Sequence, residues 1–379
     1  MRRELLVGLV ALLVAAAIVV PQVIAHDGDV STLLRVGRYS ASRPYVERAL
    51  PDPQLTEDYG HDGQQFYVLA ATFPHAHDAI PYVDRIRYRF RRVLFPAIVS
   101  PAPEGAPLVW TMFAVNLLAI GAAAIALARL STRLGGTAWL GLLAALDPAL
   151  IESLQGSLAD GLAIALALWG VVLWRRHIGW AVVLLTLAAL SRETTLVVAA
   201  ACFVVGDRRQ RRWLLIPPAV FLAWMAIVSV WLPPTAGAGR GNIILDATGE
   251  LTIPFRAWLH LGLTSPAMVL GMSLLAASLA AAWKLRHRLP EVSVWLLLDA
   301  LLLVCSDEGV AERPLNLARV AAMALPAMGL AVVAERHPAS SAEPSKPVRS
   351  GRPDKPGRPD KPASAVASEG RKEGPQGAG

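Results

Sequence analysis

The sequence predicts an all-α polytopic membrane protein with about ten transmembrane or hairpin segments and a long first outer loop containing an interfacial amphipathic helix. Three observations point there. Of 379 residues, 54% are hydrophobic and only 17% charged, against roughly a quarter charged in an ordinary soluble domain. The apolar residues gather into runs nearly free of charge, which suits segments that must satisfy their own backbone in lipid. The runs are continuous rather than alternating, which excludes the strands of a membrane barrel. The same facts rule out a soluble enzyme, a disordered regulator and a nucleic-acid-binding domain, so no nucleic acid is expected as partner.

The first apolar run, 5–25, follows Met1-Arg2-Arg3-Glu4. Its end resembles a signal-peptidase site, yet the run exceeds the roughly 7–15 residues of a signal h-region. Residues 1–25 are therefore expected to remain as an N-terminal transmembrane anchor. A polar stretch, 26–107, forms the first outer loop, and 108–334 forms a multi-span domain with runs at 108–128, 137–150, 158–174, 178–190, 194–206, 213–232, 266–283, 292–305 and 316–334. Several are shorter than the roughly 17 residues of a perpendicular span. These must tilt, pair as hairpins or extend into flanking polar residues. The tail, 335–379, repeats Gly-Arg-Pro-Asp-Lys-Pro at 351–356 and 357–362 and is too polar to bury a core, so it is expected to be disordered.

The net charge is +7, and much of the basic excess flanks apolar runs. With the Met-Arg-Arg start inside, Arg129 and Arg133, Arg175-Arg176-His177, Arg208 to Arg212, and Lys284 to Arg288 all fall on one side, as the positive-inside rule requires. This holds only if 178–206 enters and leaves on one face, bending at Ser191-Arg192-Glu193. The expected location is the plasma (inner) membrane, multi-pass, with the N-terminus and tail cytoplasmic. Cys202 and Cys305 lie in apolar runs without a second ligand nearby, which supports neither a disulfide scaffold nor a zinc site.

The most chemically dense stretch is 57–67 in the outer loop. Glu57, Asp58, His61 and Asp62 fall within six positions, beside Gly63, Gln64, Phe66 and Tyr67. Carboxylates at a membrane face suit a general base or a cation site. The bland reading is that they cap a helix beginning near Gln64, with Asp62 accepting from its first N–H groups. His75 and His77 could ligate a metal only weakly, since they lack a helical HExxH frame.

Downstream, Tyr82, Ile86, Phe90, Val93 and Ala97 recur at helical spacing with arginines on the other faces. That pattern predicts a helix along the membrane surface whose arginines meet lipid headgroups. Arginines on the outer side break the usual charge asymmetry, and a phosphate-bearing lipid would supply a reason, because guanidinium pairs bidentately with phosphate.

Charges within the spans are costly and mark functional candidates. Arg192 and Glu193 either lock to each other at the bend or send Arg192 to a phosphate in an outer cavity. Asp147 caps a helix at Pro148, near Glu152. Asp160 lacks a local cation and Asp299 lacks a nameable partner, while Arg319, one turn after Asn316, is expected to snorkel to the interface. No P-loop, GxGxxG, GxSxG or HExxH pattern is present, which leaves nucleotide-driven pumping and serine or zinc hydrolysis unsupported.

Over about residues 1–334 the chain resembles the GT-C superfamily of integral-membrane glycosyltransferases. The resemblance is carried by Asp62-Gly63-Gln64 with Phe66-Tyr67, then Tyr88-Arg89, Arg92, Leu94 and Pro96, with Arg192-Glu193 after an apolar run and Arg319 opening a late one. His61 stands where a tyrosine is usual, and Gln65 is an extra residue before the aromatic pair.

The resemblance implies a GT-C-like fold and a polyprenyl-phosphate-linked sugar as donor, with membrane lipids around it and an envelope glycan, lipid or protein as acceptor. It further implies inverting transfer with Asp62, or failing it Asp58 or Glu57, as general base. Substrate binding would fall to Gln64, Tyr67, Tyr88, Arg89, Arg92, Arg192, Glu193 and Arg319. No cofactor and no metal site are expected; a divalent cation stays open but has no ligand pattern behind it. The rival classes are a transporter or flippase of a lipid or anionic solute, using the bend as a broken-helix site, and a non-catalytic assembly subunit of the same fold.

Overall fold

The computed structural model describes residues 2–234, 258, 265–306 and 314–337. Nearly all of the expected tail, and parts of two expected outer connections, lie outside the described residues. What is described is mostly helical. Among the described residues, four helices are long and apolar enough to cross a membrane: Arg2–Ile24, Ala106–Arg133, Arg208–Trp231 and Pro266–Leu285, the third with a slight break at Leu215. Shorter apolar helices include Asp160–Leu173, Ile178–Ser191 and Pro290–Val304.

Small residues set the helix spacing. The first helix packs on Ala106–Arg133, and a Cβ added at Gly121 would lie 2.9 Å from the Leu12 side chain. Such stripes let helices approach where lipid offers no hydrophobic drive. The run 137–150 is not one segment: a 3-10 helix, Ala138–Leu146, ends at Asp147, and Pro148 opens the helix Pro148–Gln155. Pro148 has no N–H to continue the preceding helix, and the Asp147 carboxylate accepts from the Ala149 and Leu150 N–H groups, the capping role expected of it. The run 316–334 likewise divides into Pro314–Val320 and Ala324–Arg336.

Polar contacts sort the helix ends. Arg129 pairs with Glu4 at 3.1 Å, Arg133 donates to the Val172 carbonyl, Arg175 pairs with Glu291 at 2.9 Å, and Arg288 donates to the His337 and Leu134 carbonyls. One end of the bundle thus gathers the start of Arg2–Ile24 with the ends of Ala106–Arg133, Asp160–Leu173, Pro266–Leu285 and Ala324–Arg336.

The expected first outer loop packs as a unit of short elements: 3-10 helix Val30–Leu33, helices Arg43–Ala49 and Asp62–Ala71, and a parallel pairing of Val36–Gly37 with Leu55–Thr56. The single amphipathic helix expected over 82–97 is corrected to three pieces, the 3-10 helix Ala76–Tyr82 and the helices Ile86–Phe90 and Leu94–Val99. Arg85 adopts a left-handed conformation, φ 43°, that interrupts the first turn. The apolar face meets protein: Phe90 packs edge-on against Trp231, and Trp224 Nε1 donates to the Phe90 carbonyl. Arg89 and Arg92 therefore turn inward and are buried, where headgroup contact was expected.

Candidate functional site

Asp62 opens the helix Asp62–Ala71. A close approach fixes its position, since a Cβ at Gly63 would stand 2.1 Å from the Gly156 carbonyl oxygen. Asp62 does not cap this helix: His61 occupies the N-cap position, without a side-chain capping bond. The Asp62 carboxylate meets arginines instead, at 2.6 Å from Arg89 Nη1, 3.5 Å from Arg319 Nη2 and 3.6 Å from Arg92 Nη1.

Each of these guanidiniums has a further carboxylate. Arg89 donates from Nε and Nη2 to Asp84, Arg92 from Nε and Nη2 to Glu193, and Arg319 from Nε and Nη2 to Asp160. Arg192 also pairs with Asp160. With Arg85, 3.9 Å from Asp84, five guanidiniums and four carboxylates thus form one network, with Asp160 at its floor, 2% exposed, and Asp84 at its rim, 45% exposed. The Tyr88 hydroxyl accepts from Arg92 Nη2, and the Tyr88 ring lies 5.0 and 5.5 Å from the Arg92 and Arg89 guanidiniums.

The bend at 191–193 explains how neighbouring residues serve different partners. Ser191 Oγ ties the end of Ile178–Ser191 to the Ala159 carbonyl, Arg192 is extended, and a 3-10 turn, Glu193–Thr195, follows. Arg192 consequently faces Asp160 while Glu193 faces Arg92; the mutual Arg192–Glu193 lock is not formed. Arg319 does not snorkel outward, its side chain being 8% exposed against Asp160 and Asp62. Asp160, which lacks a local cation in the sequence, receives two from distant segments.

Burial raises the affinity of the Asp62 carboxyl for its proton, but Arg89 and Arg319 foremost outweigh it and hold the group well below the usual carboxylate range. Burial opposes charge on Arg89 and Arg92 too, yet Asp62 for the first and Glu193 for the second keep both firmly protonated. Burial is the main cause that lowers His61 to about 4, so its ring is neutral near pH 7.

Other expected site residues are engaged elsewhere. Glu57 pairs with Arg38 at the surface, its side chain 75% exposed. Asp58 accepts from Thr56 Oγ1 and the Gly60 N–H, closing a turn. Gln64 braces the loop, accepting from the Gly37 N–H and donating to the Tyr59 carbonyl. The buried Tyr67 hydroxyl accepts from the Gly105 N–H, and burial pushes it up to about 12. These bonds tie Gln64 and Tyr67 into the loop's own framework. His77 packs edge-on against Trp231, and among the described residues no group of three or more His, Cys, Asp or Glu is placed to hold a metal ion.

Sequence reasoning missed Asp84 as a site residue, because the break at Arg85 hides its proximity to Arg89. It flagged Asp160 only through its charge in an apolar run. Beside the network, Arg35, Thr56, Glu57, Asp58, Gly60 and His61 line a surface cavity of about 490 Å³. Arg35 is fixed there by Glu152, at 2.5 and 3.3 Å.

No family model, curated protein or solved structure matches the chain.

Proposed function

We propose that this chain is a membrane glycosyltransferase of GT-C type, which moves a sugar from a polyprenyl-phosphate donor to an envelope glycan, lipid or protein acceptor with inversion. The observation that carries it is the meeting of Asp62 with Arg89, Arg92 and Arg319 at the opposite end of the bundle from the paired basic termini. In this reading the basic end is cytoplasmic, the site faces outward, and about ten transmembrane or hairpin segments lie in the plasma membrane. A network of buried charges is costly in such a setting and is accounted for by work on a charged ligand.

Asp62 accepts the proton of the acceptor hydroxyl as its oxygen bonds to the anomeric carbon. The bond from that carbon to the donor phosphate oxygen breaks, and its electron pair leaves on the phosphate. Arg89, Arg92 and Arg319, already fixed by their own carboxylates, stabilise that charge without reorganising. In this reading the acceptor enters by the surface cavity lined by Asp58 and by His61, the residue before Asp62 in sequence.

A carrier for a lipid or anionic solute is the second reading, favoured by the broken helix at 191–193. Purified protein in vesicles, given radiolabelled polyprenyl-phosphate sugar and crude envelope acceptor, separates the readings. Label joined to acceptor supports the transferase. Label crossing the vesicle without transfer supports the carrier, and neither outcome leaves an assembly subunit.

A further inference from the structure

Three guanidiniums share Asp62, and each is anchored without it. Arg89 is held by Asp84 at 2.7 and 3.1 Å, Arg92 by Glu193 at 2.8 and 3.0 Å, and Arg319 by Asp160 at 2.7 and 3.0 Å. For Arg92 and Arg319 the anchoring bonds are the shorter ones, since Asp62 stands 3.6 and 3.5 Å away. The three arginine side chains are 6–8% exposed, whereas Asp62 is 23% exposed. The arginines are therefore the fixed members; Asp62, Glu193 and Asp84 are 23%, 24% and 45% exposed, and of these carboxylates only Asp62 is shared by all three guanidiniums while being the sole anchor of none.

We infer that the three guanidiniums form a preformed seat for a phosphate group, and that the Asp62 carboxylate competes with phosphate for it. Guanidinium forks fit phosphate oxygens as well as carboxylate oxygens. With Asp62 swung out, Arg89, Arg92, Arg192 and Arg319, together with Arg85 at 3.9 Å from Asp84, outnumber Asp84, Asp160 and Glu193, so the seat is net positive and suits an anion. Asp84, Asp160 and Glu193 are then positioning residues that keep the seat assembled. The competition also couples the two halves of the reaction. A seated Asp62, ion-paired to three arginines, is a poor base; a phosphate that takes over those bonds releases it to accept a proton. Proton transfer from the acceptor hydroxyl to Asp62 therefore waits on occupation of the seat. The identification of the phosphate as a lipid-linked donor rests on the transferase reading, but the competition itself does not.

The test is equilibrium binding of radiolabelled polyprenyl monophosphate, and separately of inorganic phosphate, to the full chain in nanodiscs. Apparent affinity is reduced by the fraction of time the seat is free of Asp62, so with the seat free no more than about a tenth of the time, Asp62→Asn should bind at least about tenfold tighter. Arg319→Gln should bind about tenfold more weakly. Glu47→Gln, which removes a carboxylate from the surface pair with Arg43, should leave binding unchanged. Tightening with both probes assigns the seat to the phosphate group itself; tightening with the lipid alone assigns it to a lipid headgroup. Unchanged or weaker binding by Asp62→Asn that unfolds like the parent overturns the inference, and Asp62→Ser serves if the first variant does not fold. Tighter binding without any sugar transfer by the parent chain leaves the competition standing and removes the transferase, whereas transfer without tightening does the reverse.

Discussion

Arg319 reaches Asp62 across 257 positions of sequence, its Nη2 3.5 Å from Asp62 Oδ2, while the same nitrogen stands 2.7 Å from Asp160. One guanidinium thus joins three parts of the chain: the first polar loop, the start of Asp160–Leu173 and the helix Pro314–Val320. The network is a long-range product of the fold, and its parts respond differently to substitution.

Asp160→Asn removes the shared counter-ion of two buried arginines. Breaking one side of a buried ion pair costs about 3–5 kcal/mol, because the remaining charges stay desolvated. Thermal unfolding in detergent should show a large loss of stability. Glu57→Gln breaks only an exposed pair with Arg38 and should cost less than about 1 kcal/mol.

His61 contributes a pH dependence of definite sign. Its folded value is lowered by burial to about 4 from 6.5, so the unfolded chain binds the extra proton between those values. Stability from this group is full above about pH 6.5 and is lost as pH falls toward 4, a change of about 3 kcal/mol. Asp62, held below its usual range, acts only at lower pH, where acidification again destabilises. The unfolding midpoint should drop from pH 7 to 4.5, and His61→Asn should flatten that drop.

Arg92→Lys keeps the charge but loses the two-pronged bond to Glu193 and the donor to Tyr88. A single ammonium cannot reproduce that fork. Loss of one prearranged donor to a leaving oxyanion costs on the order of 10²-fold in turnover. Steady-state transfer assays should show that loss in kcat, with a smaller change in KM for the acceptor.

Orientation is tested by labelling introduced cysteines in intact cells with a membrane-impermeant maleimide. Tyr59 is exposed at the site end, 76%, and Arg209 is exposed at the basic end. Tyr59→Cys should label and Arg209→Cys should label only after lysis. The opposite pattern would place the site on the cytoplasmic face.

Continuous apolar runs made the long helices legible, because their composition alone meets the length requirement of a bilayer. The helix end at Ser191 was legible too, since only a bend there keeps Arg208 to Arg212 with the other basic clusters. Periodicity misled over 82–97, where the spacing fits one helix but the left-handed Arg85 divides it. The partners of Asp160 were not legible, for no local pattern announces a contact with a residue 159 positions away. Asp62 was found by the density of charge around it, yet its partners made it an ion-pair centre rather than a helix cap.

The most direct measurement is a density map of the protein in nanodiscs with polyprenyl monophosphate bound. The account predicts phosphate density among Arg89, Arg92 and Arg319, with the Asp62 side chain displaced toward the His61 cavity. Phosphate bound only at the basic end, with Asp62 still paired to all three arginines, would contradict it.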